Sequence, residues 1–185
     1  TYADYSRELC LEQAVATTRY SVDGVTYTRE IFTSFADDVI IMRLRADRKG
    51  ALGFEIEYEN SAQHRTFRQG DVLVLEGKGS DHEGIAGKIR YQTHATVRSS
   101  DGEVGVADDA ISVKNATEAV IYITIATNFI DYTNVEGDPQ RKASEILAAA
   151  VGKNYKTAIG EHSEIYARQF NSFKLDLGGI SEAVR

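Results

Sequence analysis

Tryptophan is absent from this chain, cysteine occurs once, at Cys10, and no apolar run approaches the roughly 20 residues of a membrane-spanning helix. A single thiol excludes an intrachain disulfide and a cysteine-based metal cluster, while leaving the redox compartment open. Without tryptophan, a sugar-binding surface would have to stack pyranose rings on the ten Tyr and seven Phe, which weakens the reading as a stand-alone lectin. Positive charge is scarce too. The 21 Lys and Arg face 28 Asp and Glu, for a formal charge of -7 that repels phosphate backbones and anionic lipid. Nucleic acid and membrane are therefore excluded as partners. No Gly-Lys-Ser/Thr phosphate loop occurs, since Gly77-Lys78-Gly79-Ser80 has the wrong spacing, and no Ser/His/Asp order is present. No cofactor is called for.

What is present is ordinary for a folded domain: 42% hydrophobic and 26% charged residues over 185 positions. That length supports one domain with a proper core and leaves no room for a second of full size. Thr1 in place of a starting Met, and a last residue Arg185 of the kind trypsin-like proteases leave, read as a piece of a longer chain.

The middle of the chain alternates with period two. Thr18, Tyr20 and Val22 are followed by Val25, Tyr27, Arg29 and Ile31 across Asp23-Gly24, a two-residue connection that predicts a type I′ hairpin. Val39 to Arg45 and Leu52 to Tyr58 repeat the pattern across the polar turn Asp47-Arg48-Lys49-Gly50, which predicts a second hairpin. Further strands are expected over 72–75, 88–98, 110–113 and 119–127, separated by punctuation such as Ser99-Ser100-Asp101-Gly102, and many short strands at this spacing make a sandwich. Ala119 to Ala126 is almost continuously apolar and β-branched, as in a central strand covered on both faces.

A different pattern closes the chain. Asp138-Pro139 supplies an N-cap and a proline at the first helical position, with Ala143, Ile146, Leu147 and Ala150 at helical spacing up to Gly152,. A second helix is expected from Tyr155 to Phe173, with Ile159, His162, Tyr166 and Phe170 in one stripe, and Leu175-Asp176-Leu177 beyond it,. The fold class is mainly β, an antiparallel β-sandwich followed by two helices. Residues 1–133 form a partial sandwich domain and 134–185 a helical linker.

Candidate chemistry is thin. Glu55, Glu57 and Glu59 share one strand face opposite Phe54, Ile56 and Tyr58, a row best read as solvated, because glycosidic chemistry needs two carboxylates in different environments. Asp37-Asp38 and Asp108-Asp109 read as turn residues. His82, in the loop Gly79-Ser80-Asp81-His82-Glu83-Gly84, is a candidate ligand contact on a loop, although one Asp and one Glu beside it do not make a metal site. His64 and His94 read as surface or packed strand residues, and His162 as a packing residue. Asn128 and Tyr132, where the buried strand ends, are the other two binding candidates, since a core strand projects its last residues rigidly. The plainer reading of that pair is a turn Asn and a capping Tyr. No catalytic or metal-binding residue is assigned.

The order of segments adds a resemblance. Tyr5-Ser6-Arg7-Glu8-Leu9-Cys10-Leu11-Glu12-Gln13-Ala14, then Gly24 to Ser34, then Asp38 to Leu44, followed by Ala126-Thr127-Asn128-Phe129, the helix after Asp138-Pro139 and His162 to Leu177, resemble glycoside hydrolase family ninety-five over nearly the whole chain. The resemblance implies the N-terminal β-sandwich and linker helices of a large inverting α-L-fucosidase, with some members acting on α-L-galactosides. It places the acid Glu, the base Asp and the assisting Asn residues in an (α/α)6 barrel outside this sequence, so no catalytic residue carries over. It also implies that this chain begins inside the family's sandwich, after a Gly-Asn-Gly stretch and a Trp-containing segment, leaving a sheet edge open. The implied partner is the remainder of the parent enzyme, through which fucosylated glycan is reached. The alternative is a stand-alone carbohydrate-binding or protein-interaction module.

Overall fold

Eleven strands and two helices follow one another in the computed structural model, which describes residues 3–175 and 178. Thr1, Asp176, Leu177 and Arg185, all named above, lie outside the described residues. In chain order the elements are β1 (Ala3–Cys10), β2 (Val15–Val22), β3 (Val25–Ser34), β4 (Val39–Ala46), β5 (Leu52–Glu57), β6 (His64–Gln69), β7 (Val72–Lys78), β8 (Arg90–Ser99), β9 (Glu103–Val106), β10 (Ala110–Ala116) and β11 (Glu118–Thr127), then α1 (Pro139–Val151) and α2 (Tyr155–Phe170). Eight strands form one antiparallel sheet in the order β1-β2-β3-β4-β11-β8-β7-β6, and β5-β10-β9 form a second. The protein is an antiparallel β-sandwich with two C-terminal helices.

The predicted β2–β3 hairpin is present, with Asp23 and Gly24 at φ 50° and 72°, the two left-handed positions a type I′ turn requires. The predicted β4–β5 hairpin is not. β4 pairs with β3 and β11, whereas β5 pairs with β10 in the other sheet. The turn 47–50 instead carries the chain between sheets: Asp47 accepts the Thr26 N–H at 2.9 Å and the Gly50 N–H donates to Thr117 Oγ1 at 3.1 Å. Three strands carried no clear alternation in sequence. β1, β6 and β9 are edge strands of their sheets, held by backbone pairing and mostly exposed, so no buried face stamps a period on them.

β11 is central, between β4 and β8, and its two faces serve two cores. Ala119 and Ile121 join Leu44, Leu52, Leu73, Ala95, Val97 and Ile111 between the sheets. Val120 and Tyr122 join Phe32, Val39, Ile41, Leu147, Ala150 and Ala158 beneath the helices. The continuously apolar strand is thus covered on both sides, as its composition requires. α1 begins as expected, with the Asp138 side chain accepting the Arg141 N–H at 3.0 Å ahead of Pro139,. α2 starts at an Asn154 cap and ends at Phe170 rather than Phe173. Both helices lie on the larger sheet, α1 across β11 and β8 and α2 against β3.

Candidate functional site

The ends of the larger sheet differ. One carries tight connections such as Asp23-Gly24 and the left-handed Gly70 between β6 and β7. The other carries two long loops, 79–89 between β7 and β8 and 128–138 between β11 and α1. All three sequence-derived binding candidates, His82, Asn128 and Tyr132, fall in these two loops.

Asn128 joins them at the base. It is 1% exposed, its Oδ1 accepts the Arg90 N–H at 2.7 Å, and its Nδ2 donates to the carbonyls of Lys88 and Val135 at 3.0 and 2.6 Å. Its backbone N–H donates to Arg90 O and its carbonyl accepts from the Gly137 N–H. The amide is thus saturated by backbone on both loops. His82 and Tyr132 lie at the tips. His82 pairs with Ile85 and Asp131 with Asn134 in single antiparallel bridges, and Tyr132 is 93% exposed. The necks are tight: a side chain at Gly87 would fall on the Gly79 carbonyl, and one at Gly137 on the Asn128 carbonyl. Within the first loop Asp81 accepts the Gly87 N–H at 2.9 Å. That bond, with Lys78 nearby, holds its carboxyl below the usual range,. Asp131 is held low by the Thr133 hydroxyl and N–H.

These loops gather exposed apolar side chains. Ile85, Phe129, Ile130 and Tyr132 sit on them, and Leu11 and Phe35 occupy the β1–β2 and β3–β4 turns at the same end.

Beside the loops, a cavity of about 700 Å³ opens between the β6–β8 edge of the sheet and the first turn of α1, lined by Arg65, Glu76, Lys78, Arg90, Gln92 and Gln140 among others. Lys78, Arg90 and Glu136 are shared with the recess over Asn128. A chain of side chains runs from its floor into the sheet. Glu76 accepts from Arg65 Nε at 3.0 Å and from Gln92 Nε2 at 2.7 Å, and Gln92 Oε1 meets His94 Nε2 at 2.8 Å. Because that Gln92 oxygen can only accept, His94 carries its proton on Nε2. His94 is 2% exposed, and burial pushes its pKa down, favouring the neutral ring,. No sequence signal distinguished this chain, since Glu76, Gln92 and His94 lie on different strands or two apart and meet only through the β7–β8 register.

The other candidates lie elsewhere. Glu55, Glu57 and Glu59 are exposed. His64 is exposed, its Nδ1 2.7 Å from Ala62 O. His162 is fully buried, its Nε2 3.0 Å from Gln13 O and its ring 4.8 Å from Phe32, a packing position. Asp37 does more than turn the chain. Its side chain is only 4% exposed, it accepts from Ser34 Oγ at 2.8 Å, and it shares Lys153 Nζ with Glu161, fastening the β3–β4 turn to α2. Those two hydrogen bonds, Asp37 first, raise the Lys153 pKa. Among the described residues no three His, Cys, Asp or Glu side chains come together as a metal site.

Two curated proteins align along nearly the whole chain. Alpha-L-fucosidase 2 of Arabidopsis thaliana is 26% identical over 98% of this chain and 24% of its own length. "Probable alpha-fucosidase A" of Aspergillus oryzae is 28% identical over 95% of this chain and 26% of its own length. The chain thus spans about a quarter of the length of these curated relatives. Among solved structures, "Putative kojibiose phosphorylase from human microbiome" superposes with a TM-score of 0.61 at 11% identity, over 90% of this chain and 25% of that one, a likeness of fold. The family model described as "Glycosyl hydrolase family 65, N-terminal domain" matches residues 1–132, and on that match the chain belongs to this family of glycoside hydrolase N-terminal domains.

Proposed function

We propose that this chain is the non-catalytic N-terminal sandwich of an inverting α-L-fucosidase of the family ninety-five type, whose parent enzyme removes terminal α-L-fucosyl or α-L-galactosyl residues. The observation that carries the reading is the alignment with two fucosidase-named proteins along nearly all of this chain and only a quarter of theirs. The chemistry points the same way. Inversion takes an acid and a base carboxylate roughly 6.5–9.5 Å apart across the sugar, in environments that push their pKa values apart, whereas Glu55, Glu57 and Glu59 stand in a row on an open face. Catalysis then belongs to a helical barrel in the remainder of the parent. The sandwich supports it through the loop-bearing end, where Leu11, Phe35, Ile85, Phe129, Ile130 and Tyr132 are exposed.

The test is release of nitrophenol from p-nitrophenyl α-L-fucoside by the 185-residue chain and by a complete enzyme that contains it. Hydrolysis by the complete enzyme alone is expected. Hydrolysis by the isolated chain would overturn the non-catalytic assignment, and a complete enzyme that cleaves another glycoside while sparing fucosides and α-L-galactosides would overturn the substrate.

A further inference from the structure

We propose that the cavity between the β6–β8 edge and the first turn of α1 is a binding site for a neutral, hydroxyl-rich ligand, a saccharide. The lining residues argued from here all belong to this chain, so the inference can be tested without the barrel.

Charge selects the ligand class. The charged groups lining the cavity are Arg65, Lys78 and Arg90 against Glu76, Glu136 and Asp138, so the formal charges cancel. Arg65 is moreover committed to Glu76 at 3.0 Å and Lys78 lies 3.6 Å from Asp81. A phosphate or carboxylate ligand would find no excess of cations, and a cation no free cluster of carboxylates. What remains is a dense mixture of donors and acceptors, with Gln63 and Gln140 offering both from one amide. Hydroxyl groups, which also donate and accept, match such a surface at every position.

Shape and stiffness agree. About 700 Å³ falls within the roughly 300–1,000 Å³ usual for small-molecule sites. The lining mixes polar and apolar surface in similar measure, where most small-ligand sites are mainly apolar. The floor is fixed in advance, because Gln92 is buried and bonded to Glu76 beside it and to the buried His94 behind it. Rotamer freedom there is already spent before a ligand arrives. Recognition by hydrogen bonds without a tryptophan platform makes for weak binding, with Kd on the order of 1 mM.

The test is an amide chemical-shift titration of the 185-residue chain with 2′-fucosyllactose, with inorganic phosphate and glucuronate as charged comparators. Saturable shifts at Glu76, Gln92 and Gln140 are expected with 2′-fucosyllactose, weakened about tenfold by Arg90→Ala with Gln140→Ala, both exposed positions, at an unchanged unfolding midpoint. Gln63→Ala, also exposed, replaces that pair if the midpoint falls. Saturation by phosphate or glucuronate in preference to the saccharide would make this an anion site and overturn the proposal. Shifts that fail to saturate, or that survive the substitutions, would overturn it as well.

Discussion

Asn128 shows how much one side chain can hold. It binds no neighbouring side chain, yet it satisfies one N–H and two carbonyls on two loops from a position 1% exposed. Its loss strands all three, and a buried polar group without a partner costs about 1–3 kcal/mol. Asn128→Ala is expected to lower the unfolding free energy by about 2–4 kcal/mol in urea melts, with the Arg90 amide exchanging faster. Asn128→Asp keeps the acceptor for Arg90 but sets an oxygen against the Lys88 and Val135 carbonyls, so it should do no better than alanine. If it matched the wild type, the assigned orientation of the amide would be wrong. His94 offers a second residue-scale test. Burial holds its folded pKa below the unfolded value, about 6.5. Unfolded chains therefore take up a proton that folded ones refuse, and this contribution to stability is present above about pH 6.5 and lost as the pH falls below it. Asp71 and Arg98, paired with each other at 2.7 Å, line the recess beside the ring. The drop in melting temperature from pH 7.5 to pH 5 should shrink in His94→Gln, which keeps a donor toward Gln92. An identical drop in both proteins would remove His94 as its source.

At the scale of elements, the 79–89 loop is constrained by backbone meeting backbone. Gly79 donates to Ile89 O at 2.8 Å while Gly87 lies against the Gly79 and Ser80 carbonyls. No rotamer change relieves a Cβ placed there. Gly87→Ala should cost about 1–3 kcal/mol and raise hydrogen exchange at His82 and Ile85 while leaving the β11 amides protected; uniform loss of protection would mean that the loop is part of the core. Glycine at a neck is legible only after the loop is drawn. The elements that were legible carry period-two or helical patterns stamped by a buried face: the Asp23-Gly24 hairpin, the apolar β11 and the Asp138-Pro139 start of α1. The β4–β5 hairpin was misread because a Gly-containing polar turn looks the same whether it folds a strand back or hands it to a second sheet. Only the pairing of β5 with β10, some fifty residues away, decides between them. The site was half legible for the same reason. Its loops announced themselves through His82, Asn128 and Tyr132, whereas its floor of Glu76 and Gln92, backed by His94, exists only in the register of β7 with β8.

For the whole molecule, the decisive fact is that one sheet is shared by two cores. The strands β4, β11 and β8 are buried against the smaller sheet on one side and against α1 on the other, so opening them exposes both cores at once. The periphery is different in kind. β1 is exposed along nearly its whole length, and among its described residues α2 buries only Ala158 and His162 fully. Regions with little buried apolar surface open at lower free energy than the core that holds them. Native-state hydrogen exchange should therefore separate two groups. The amides of Ile41, Ala95, Ile121 and Tyr122 are expected to exchange only with global unfolding, whereas those of Arg7 and Leu9 on β1 and Ile159 on α2 exchange through smaller openings with weaker denaturant dependence. Lys153, bound to both Asp37 and Glu161, is the tie that resists release of α2, so Lys153→Met should lower protection on α2 and leave β11 unchanged. Equal opening free energies for β1, α2 and β11 would show instead that the layers unfold as one cooperative unit, and the edge strand and outer helix would then count among the structural supports of the central sheet.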